Sequence, residues 1–316
     1  MTARRLAAGI AILGAVLAVW LARPARFVVD GLSMAPGLMP GDLVSTGWLP
    51  AADRLRGPAR FERWLVTAPD GTRAVKRIGG LPGEAVSIRD GDLVVGGTTV
   101  LKGPSVLAGV AVPLAAAVDP PRGHAMLPAD EILDDVAFAR EVNRTLETVR
   151  DAGLVARLVT GTAAAGLRAT VGGATIRWRL PAAAAVRLIA GRLDGRLVAV
   201  AWRDHAARAA DDLRSGLPAR VPEAWSVATE WPVGPGEADQ PPCSIAIAIA
   251  VAGDARIERA AGWRDVHLRP AADGVASWQL DADSWLVLGD FPTGSIDSRR
   301  WGPLPTAAFR CRIRRP

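Results

Sequence analysis

Leu6 to Ala22 reads LAAGIAILGAVLAVWLA, seventeen residues without a charge, with Arg4 and Arg5 before it and Arg23 and Arg26 after. As a helix this run is about 25 Å long at 1.5 Å per residue, the lower limit for crossing a bilayer. Arginines at both ends can snorkel to the interface and extend its reach. A cleavable leader would leave the apolar run through a small-x-small exit, whereas this one ends Trp20-Leu21-Ala22-Arg23-Pro24. A retained transmembrane helix is therefore expected, and the arginines on both flanks leave its orientation open. No second run of this kind follows. Ser244–Ala252, SIAIAIAVA, alternates branched residues with alanine at a length that suits a buried strand.

The remaining composition excludes more than it assigns. Of 316 residues half are hydrophobic, enough for one large core or two modest ones. The net charge of +6 is carried mainly by arginine scattered from end to end. No basic block interleaved with aromatics suggests a nucleic-acid groove, and anionic lipid headgroups fit the excess better. Cys243 and Cys311 are far apart with no CxxC, and His124, His205 and His267 are isolated, so neither a metal nor a cofactor is expected. A disulfide between the two cysteines stays open. None of the histidines has the surroundings of a catalytic base.

After the anchor the pattern is mainly β. Phe27–Val29 and Leu43–Trp48 read as strands around a turn, and Ala68-Pro-Asp-Gly71 and Arg89-Asp-Gly-Asp92 read as hairpin turns between apolar runs. Over residues 129–150, Ile132, Val136, Ala139, Val142, Leu146 and Val149 recur at helical spacing and predict an amphipathic helix. Ala174–Trp178, Leu197–Trp202 and Ser284–Leu288 read as strands. Residues 103–260 are taken as an inserted α+β subdomain between two parts of one core, 24–102 and 261–316, with 1–23 as cytoplasmic tip and anchor.

Within the first block lies Asp30-Gly-Leu-Ser-Met-Ala-Pro-Gly-Leu-Met-Pro-Gly-Asp42. A lone hydroxyl, Ser33, is set among residues that stiffen a turn. A serine becomes a nucleophile only when a base takes its proton. With no suitable histidine, a neutral lysine is the remaining strong candidate. Lys76, in Ala74-Val-Lys-Arg-Ile78, alternates with apolar neighbours, and burial would disfavour its ammonium. Arginine stays charged and cannot be used this way.

Ser33-Met-Ala-Pro36, Gly41-Asp42, Val75-Lys-Arg-Ile-Gly-Gly-Leu-Pro-Gly-Glu84 and Gly289-Asp-x4-Ser-Ile-Asp-Ser-Arg299 resemble the ordered sequence boxes of bacterial signal peptidase I, a family of membrane-anchored Ser/Lys serine proteases. Arg89–Gly97 resembles the family's hairpin after the lysine box, and Gly262–His267 its strand back into the core. The resemblance spans two blocks, 24–102 and 262–305. It implies a β-rich catalytic domain behind one transmembrane helix, with Ser33 as nucleophile and Lys76 as general base. It further implies that Ser295 orients the lysine amine, that Asp297 pairs with Arg299 and Asp290 with Arg77, and that Met34 packs beside the dyad. The Ser33 N–H would hold the oxyanion. Gly31 stands where some members carry a second donor, which is unidentified here. Phe291 replaces a usual asparagine and Gly37 a common threonine.

The function so implied is removal of signal peptides from secreted preproteins after small residues, of the Ala-x-Ala type. It would be carried out by a single-pass monomer at the cell membrane with its catalytic domain outside the cytoplasm. Its partners would be preproteins and phospholipid, not nucleic acid. The alternative is a membrane-anchored β-domain that has lost catalysis and serves binding or assembly.

Overall fold

The computed structural model describes residue 14 and residues 24–46, 50–114, 123–127, 132–134, 145–171, 174–204, 231–232, 247–271 and 273–314. Apart from Gly14 the apolar run Leu6–Ala22 lies outside the described residues, as do His205 and Cys243 with the cysteine pairing they would decide. Among the described residues no helix is long and apolar enough to cross a membrane. They are mainly strand and divide into two compact units, residues 1–87 with 270–316, and residues 88–269.

The first unit is built on a seven-stranded antiparallel sheet. Its order is Arg26–Val28, Leu43–Thr46, Phe309–Arg314, Arg63–Thr67, Arg73–Gly80, Ser284–Leu288 and Leu304–Pro305. The hairpin read at 68–71 forms. Gly71 takes φ +84°, a conformation that costs a glycine little, and Asp70 accepts from Thr72 N–H at 2.9 Å. Period-two alternation sends Trp64 and Val66 to one face, packed with Ile78, Trp285 and Phe309, while Leu65 goes to the other with Met34, Val44 and Ile313. Both faces of the sheet are thus buried. The short strand Ser277–Gln279 pairs with Ala85–Arg89, Ser277 opposite Ser87.

The second unit is a sandwich. A six-stranded sheet runs Trp231–Pro232, Arg196–Arg203, Ala185–Leu193, Ala152–Thr160, Ala255–Arg264, Val112–Pro113. A four-stranded sheet runs Ala174–Leu180, Ala165–Val171, Ile247–Ala252, His124–Leu127. Leu154, Leu158 and Leu188 of the first meet Leu167, Ile176 and Ile249 of the second in a single core. The far side of the six-stranded sheet is covered by the helix Pro104–Val110 through Leu107, together with the indole of Trp263. That indole fits because Gly153 and Gly191 stand opposite one another in register. A Cβ on either would come within 2.3 or 2.8 Å of the ring.

The helix expected over 129–150 is corrected at both ends. Leu133 bridges Thr148, Asp134 N–H bonds Glu147 O at 2.9 Å, and Val149 N–H bonds Ile132 O at 2.7 Å, so residues 132–134 and 145–150 are extended and paired. Residues 135–144 lie outside the described residues. Arg269 ties the pair down through Asp134 at 2.5 Å, a long-range anchor that helical spacing does not register. The described part of the 103–260 insertion is mainly strand, with the short helix Pro104–Val110 at its start.

One polar knot is buried in this unit. Lys102, 5% exposed, holds Asp265 at 3.0 Å, Asp92 at 3.1 Å and Asp194. Asp151 accepts the Asp194 N–H at 2.5 Å and faces Arg192 at 3.6 Å. Burial pushes the Asp151 carboxyl up to about 8 and that of Asp265 up to about 7, with the neighbouring carboxylates adding to the rise and Lys102 opposing it. Burial would lower Lys102, but Asp265, Asp92 and Asp194 together hold it well above its usual value. The raised carboxyls keep protons when folded that the unfolded chain releases near pH 4. Stability from this source therefore declines as pH rises from about 4 to about 8. Asp151→Asn is expected to flatten the decline in melting temperature between pH 6 and pH 8.5. A variant profile parallel to wild type would show that Asp151 is ionised throughout.

Candidate active site

The loop that carries Ser33 is closed at its base. The ladder between Arg26–Val28 and Leu43–Thr46 is continued by Val29 N–H to Asp42 O at 2.9 Å and Gly41 N–H to Val29 O at 2.8 Å. Inside this gate the Asp42 carboxylate accepts from Met39 N–H at 2.9 Å, and Leu38 N–H bonds back to Met34 O at 2.8 Å. Met34 and Leu38, each 1% exposed, sink into the cluster of Leu65 and Ile313. Ser33 itself stays half-buried and reachable. Apolar anchors immediately after the hydroxyl fix its backbone; this is the chemical use of a turn so rich in Pro, Gly and Met. The Ser33 carbonyl accepts from Phe291 N–H at 3.1 Å, while its own N–H has no hydrogen bond among the described residues.

Lys76 lies in the strand Arg73–Gly80, two residues from Ala74 and two from Ile78, which both pack with Trp64. It is 3% exposed, its Nζ donates to Ser295 Oγ at 3.0 Å, and it lies 5.6 Å from the centroid of the Trp301 ring. Burial pushes its pKa down to about 8; Asp297 and Asp290 resist that fall and Arg299 assists it. An amine in this range holds a substantial neutral fraction at ordinary pH, as a general base requires.

Gly289 joins serine and lysine. A Cβ placed on it would lie 2.2 Å from Ser295 Oγ and 2.5 Å from Ser33 O. Those two oxygens are therefore within about 5 Å of one another, packed on the same bare Cα. The Gly289 N–H donates to Asp297 Oδ2 at 2.8 Å.

The two ion pairs are formed as spaced. Asp297, fully buried, caps the turn Ser298–Trp301 by accepting Arg299 N–H at 3.1 Å, and takes the Arg299 guanidinium at 2.9 and 2.6 Å. Burial would raise its carboxyl, but Arg299 and the Gly289 N–H outweigh that and hold it below the usual carboxylate value. Asp290 receives Arg77 in two bonds of 2.6 and 2.5 Å, and Arg77 also reaches Phe61 O at 2.6 Å. The Arg77–Asp290 pair ties the segment 289–299 to the strand that bears Lys76, and the Asp297–Arg299 pair braces the segment from within.

Of the residues the sequence singled out, Ser33, Met34, Lys76, Arg77, Asp290, Ser295, Asp297 and Arg299 all fall in the first unit. Gly31 is exposed, and a Cβ there would meet nothing within 4 Å. Phe291 serves Ser33 through its backbone, so the change from asparagine leaves that bond available. Its ring lies where a Cβ on Gly294 would sit, at 2.4 Å. Gly37 is buried in the loop. Sequence reasoning missed Gly289 and Trp301 as members of the site. The motif Gly289-Asp290 carried the first, and nothing in the spacing points to the second.

Among the described residues the group with metal-ligand character is Asp92, Asp151, Asp194 and Asp265, whose ligand atoms lie within 4.8 Å of one another. It belongs to the second unit, and the Lys102 ammonium already fills the place of a cation on three of the four.

Residues 2–110 match the family model described as signal peptidase, peptidase S26. The match covers about a third of the chain and contains Ser33 and Lys76, but not the segment 289–299. No curated protein matches the chain.

Proposed function

We propose, from the match of residues 2–110 to the family model described as signal peptidase, peptidase S26, that this protein is a membrane-bound endopeptidase that removes signal peptides from preproteins after small residues, with Ser33 and Lys76 as its dyad. The observation that supports this most is the buried Lys76 amine, lowered to about 8 and aimed at Ser295 beside the Ser33 backbone. Neutral Lys76 takes the Ser33 Oγ proton as that oxygen attacks the scissile carbonyl carbon. The carbonyl electron pair moves onto oxygen, where the Ser33 N–H can meet the developing charge. Collapse breaks the C–N bond, and the leaving amine receives the proton from the Lys76 ammonium. Water, deprotonated by the same amine, then releases the signal peptide from Ser33. The apolar run Leu6–Ala22 would hold the enzyme in the bilayer where such substrates arrive, its catalytic unit on the extracytoplasmic side.

Ser33→Ala, in the full chain reconstituted with a preprotein whose apolar segment ends in Ala-x-Ala, is expected to lose turnover by about 10⁴-fold or more with unchanged melting temperature. Turnover near wild type would remove Ser33 from the role. A folded wild-type protein that cuts no such substrate would instead favour an assembly or binding module.

A further inference from the structure

The four-stranded sheet of the second unit turns one face to its core and the other to solvent, and the outer face carries a charge arrangement that folding alone disfavours. In the hairpin Ala165–Val171 and Ala174–Leu180, Arg168 stands directly opposite Arg177 in register, and Arg179 follows on the same face opposite Gly166. All three arginines are exposed. No carboxylate pairs with them among the described residues. Like charges directly opposite one another destabilise an antiparallel pair, and a face that was merely solvated would be served better by Thr or by one acid in place of either arginine. Around the arginines the relief is low: Gly166, Thr170 and Thr175 share the face. The result is a cationic patch whose neighbouring side chains on the two strands are small.

We infer that this face is a docking surface for an anionic bilayer, the arginines contacting lipid phosphates as a second attachment besides the apolar run Leu6–Ala22. Charge complementarity favours that occupant. The chain already carries a net charge of +6 and a segment of bilayer-spanning length, so an anionic surface would be at hand. Guanidinium groups suit phosphate oxygens through paired N–H donors. The cross-strand repulsion of Arg168 and Arg177 is relieved when phosphates stand between them.

The test uses the full chain reconstituted in vesicles of phosphatidylcholine alone or with one part in three phosphatidylglycerol, treated with phenylglyoxal and mapped by mass spectrometry. Modification of Arg168, Arg177 and Arg179 is expected to slow about five-fold or more on the anionic vesicles only. The rate should recover in 1 M salt, where the Debye length is about 3 Å. Arg256, whose side chain is 75% exposed and paired with Glu258, serves as the internal control. Equal rates on both vesicles overturn the inference. So does protection by poly-glutamate without protection by anionic lipid, which would assign the face to an acidic polypeptide. Flotation with phosphatidylcholine vesicles reports on the anchor alone, so a failed anchor is told apart from a failed surface. The double variant Arg168→Thr, Arg177→Thr should melt no lower than wild type and should remove the protection of Arg179; protection retained there would also overturn the inference.

Discussion

Lys76→Arg is expected to be as inactive as Lys76→Ala, both at least about 10³-fold below wild type, although arginine keeps the charge. The base must surrender its own proton before it can take one from Ser33. Burial brings the Lys76 pKa down to about 8, so roughly a tenth of the protein holds a neutral amine at pH 7 and roughly nine-tenths at pH 9. A guanidinium stays protonated throughout that range and is bulkier than the ammonium that now meets Trp301 and Ser295. Wild-type cleavage should therefore rise with pH to a midpoint near 8, well below the 10.5 of an ordinary lysine. Ser295→Ala, which removes a hydrogen-bond partner of the amine, should lower the rate and displace the midpoint. Substantial cleavage by Lys76→Arg would end the Ser/Lys reading. The same depression carries a stability consequence. Because the folded pKa is the lower one, folding loses about 3 kcal/mol at any pH below about 8, and the loss fades as pH climbs toward 10.5. An inactive Lys76→Met protein should accordingly melt higher than wild type at neutral pH.

Gly289→Ala should cost on the order of 10²-fold in kcat through a single methyl group. The new carbon would come 2.2 Å from Ser295 Oγ and 2.5 Å from Ser33 O, closer than carbon and oxygen approach without something moving. Gly289 cannot easily yield. Its N–H is held by buried Asp297, and the preceding residue, Leu288, is paired with Arg77 in the sheet. The displacement falls on Ser295, on the Ser33 backbone, or on both. A melting temperature lowered by roughly 1–3 kcal/mol of stability should accompany the kinetic loss, since overpacking strains a dense site. A kcat within a factor of about three of wild type would show that this close approach is not needed for turnover.

How much of this was legible in the chain varies with the kind of signal. Hairpins at 68–71 and 89–92 were readable because glycine declares a left-handed turn. Gly71 has φ +84°, and Asp90 and Gly91 have +53° and +91°. Ile247–Ala252 was readable because its burial alternates with its branched residues. Residues 129–150 were not, since apolar spacing over a few turns does not reveal that Leu133 will bridge Thr148 or that Arg269 will clamp Asp134. The ion pairs Asp290–Arg77 and Asp297–Arg299 followed from residue types within recognisable boxes. Gly289 stood in a recognisable box, but its role was hidden because a missing side chain does not announce what fills its space. The knot around Lys102 was invisible for another reason. Its carboxylates, at 92, 151, 194 and 265, share no motif and converge only because strands end there.

The order of strands in the first unit sets a clock on assembly of the proposed site. Its last strand, Phe309–Arg314, lies between Leu43–Thr46, which leads out of the Ser33 loop, and Arg63–Thr67, which pairs with the strand of Lys76. Until Phe309–Arg314 leaves the ribosome, the hairpin that carries Ser33 has no sheet to join. Ser295 follows Lys76 by 219 residues, a delay of roughly 10–40 s at ordinary rates of translation. During that interval the nascent chain displays an apolar run with a serine eleven residues beyond it. Yet the groups that would cut anything are unassembled. On the proposed reading the topology itself keeps each nascent chain from cutting until Phe309–Arg314 has been made and the sheet can close.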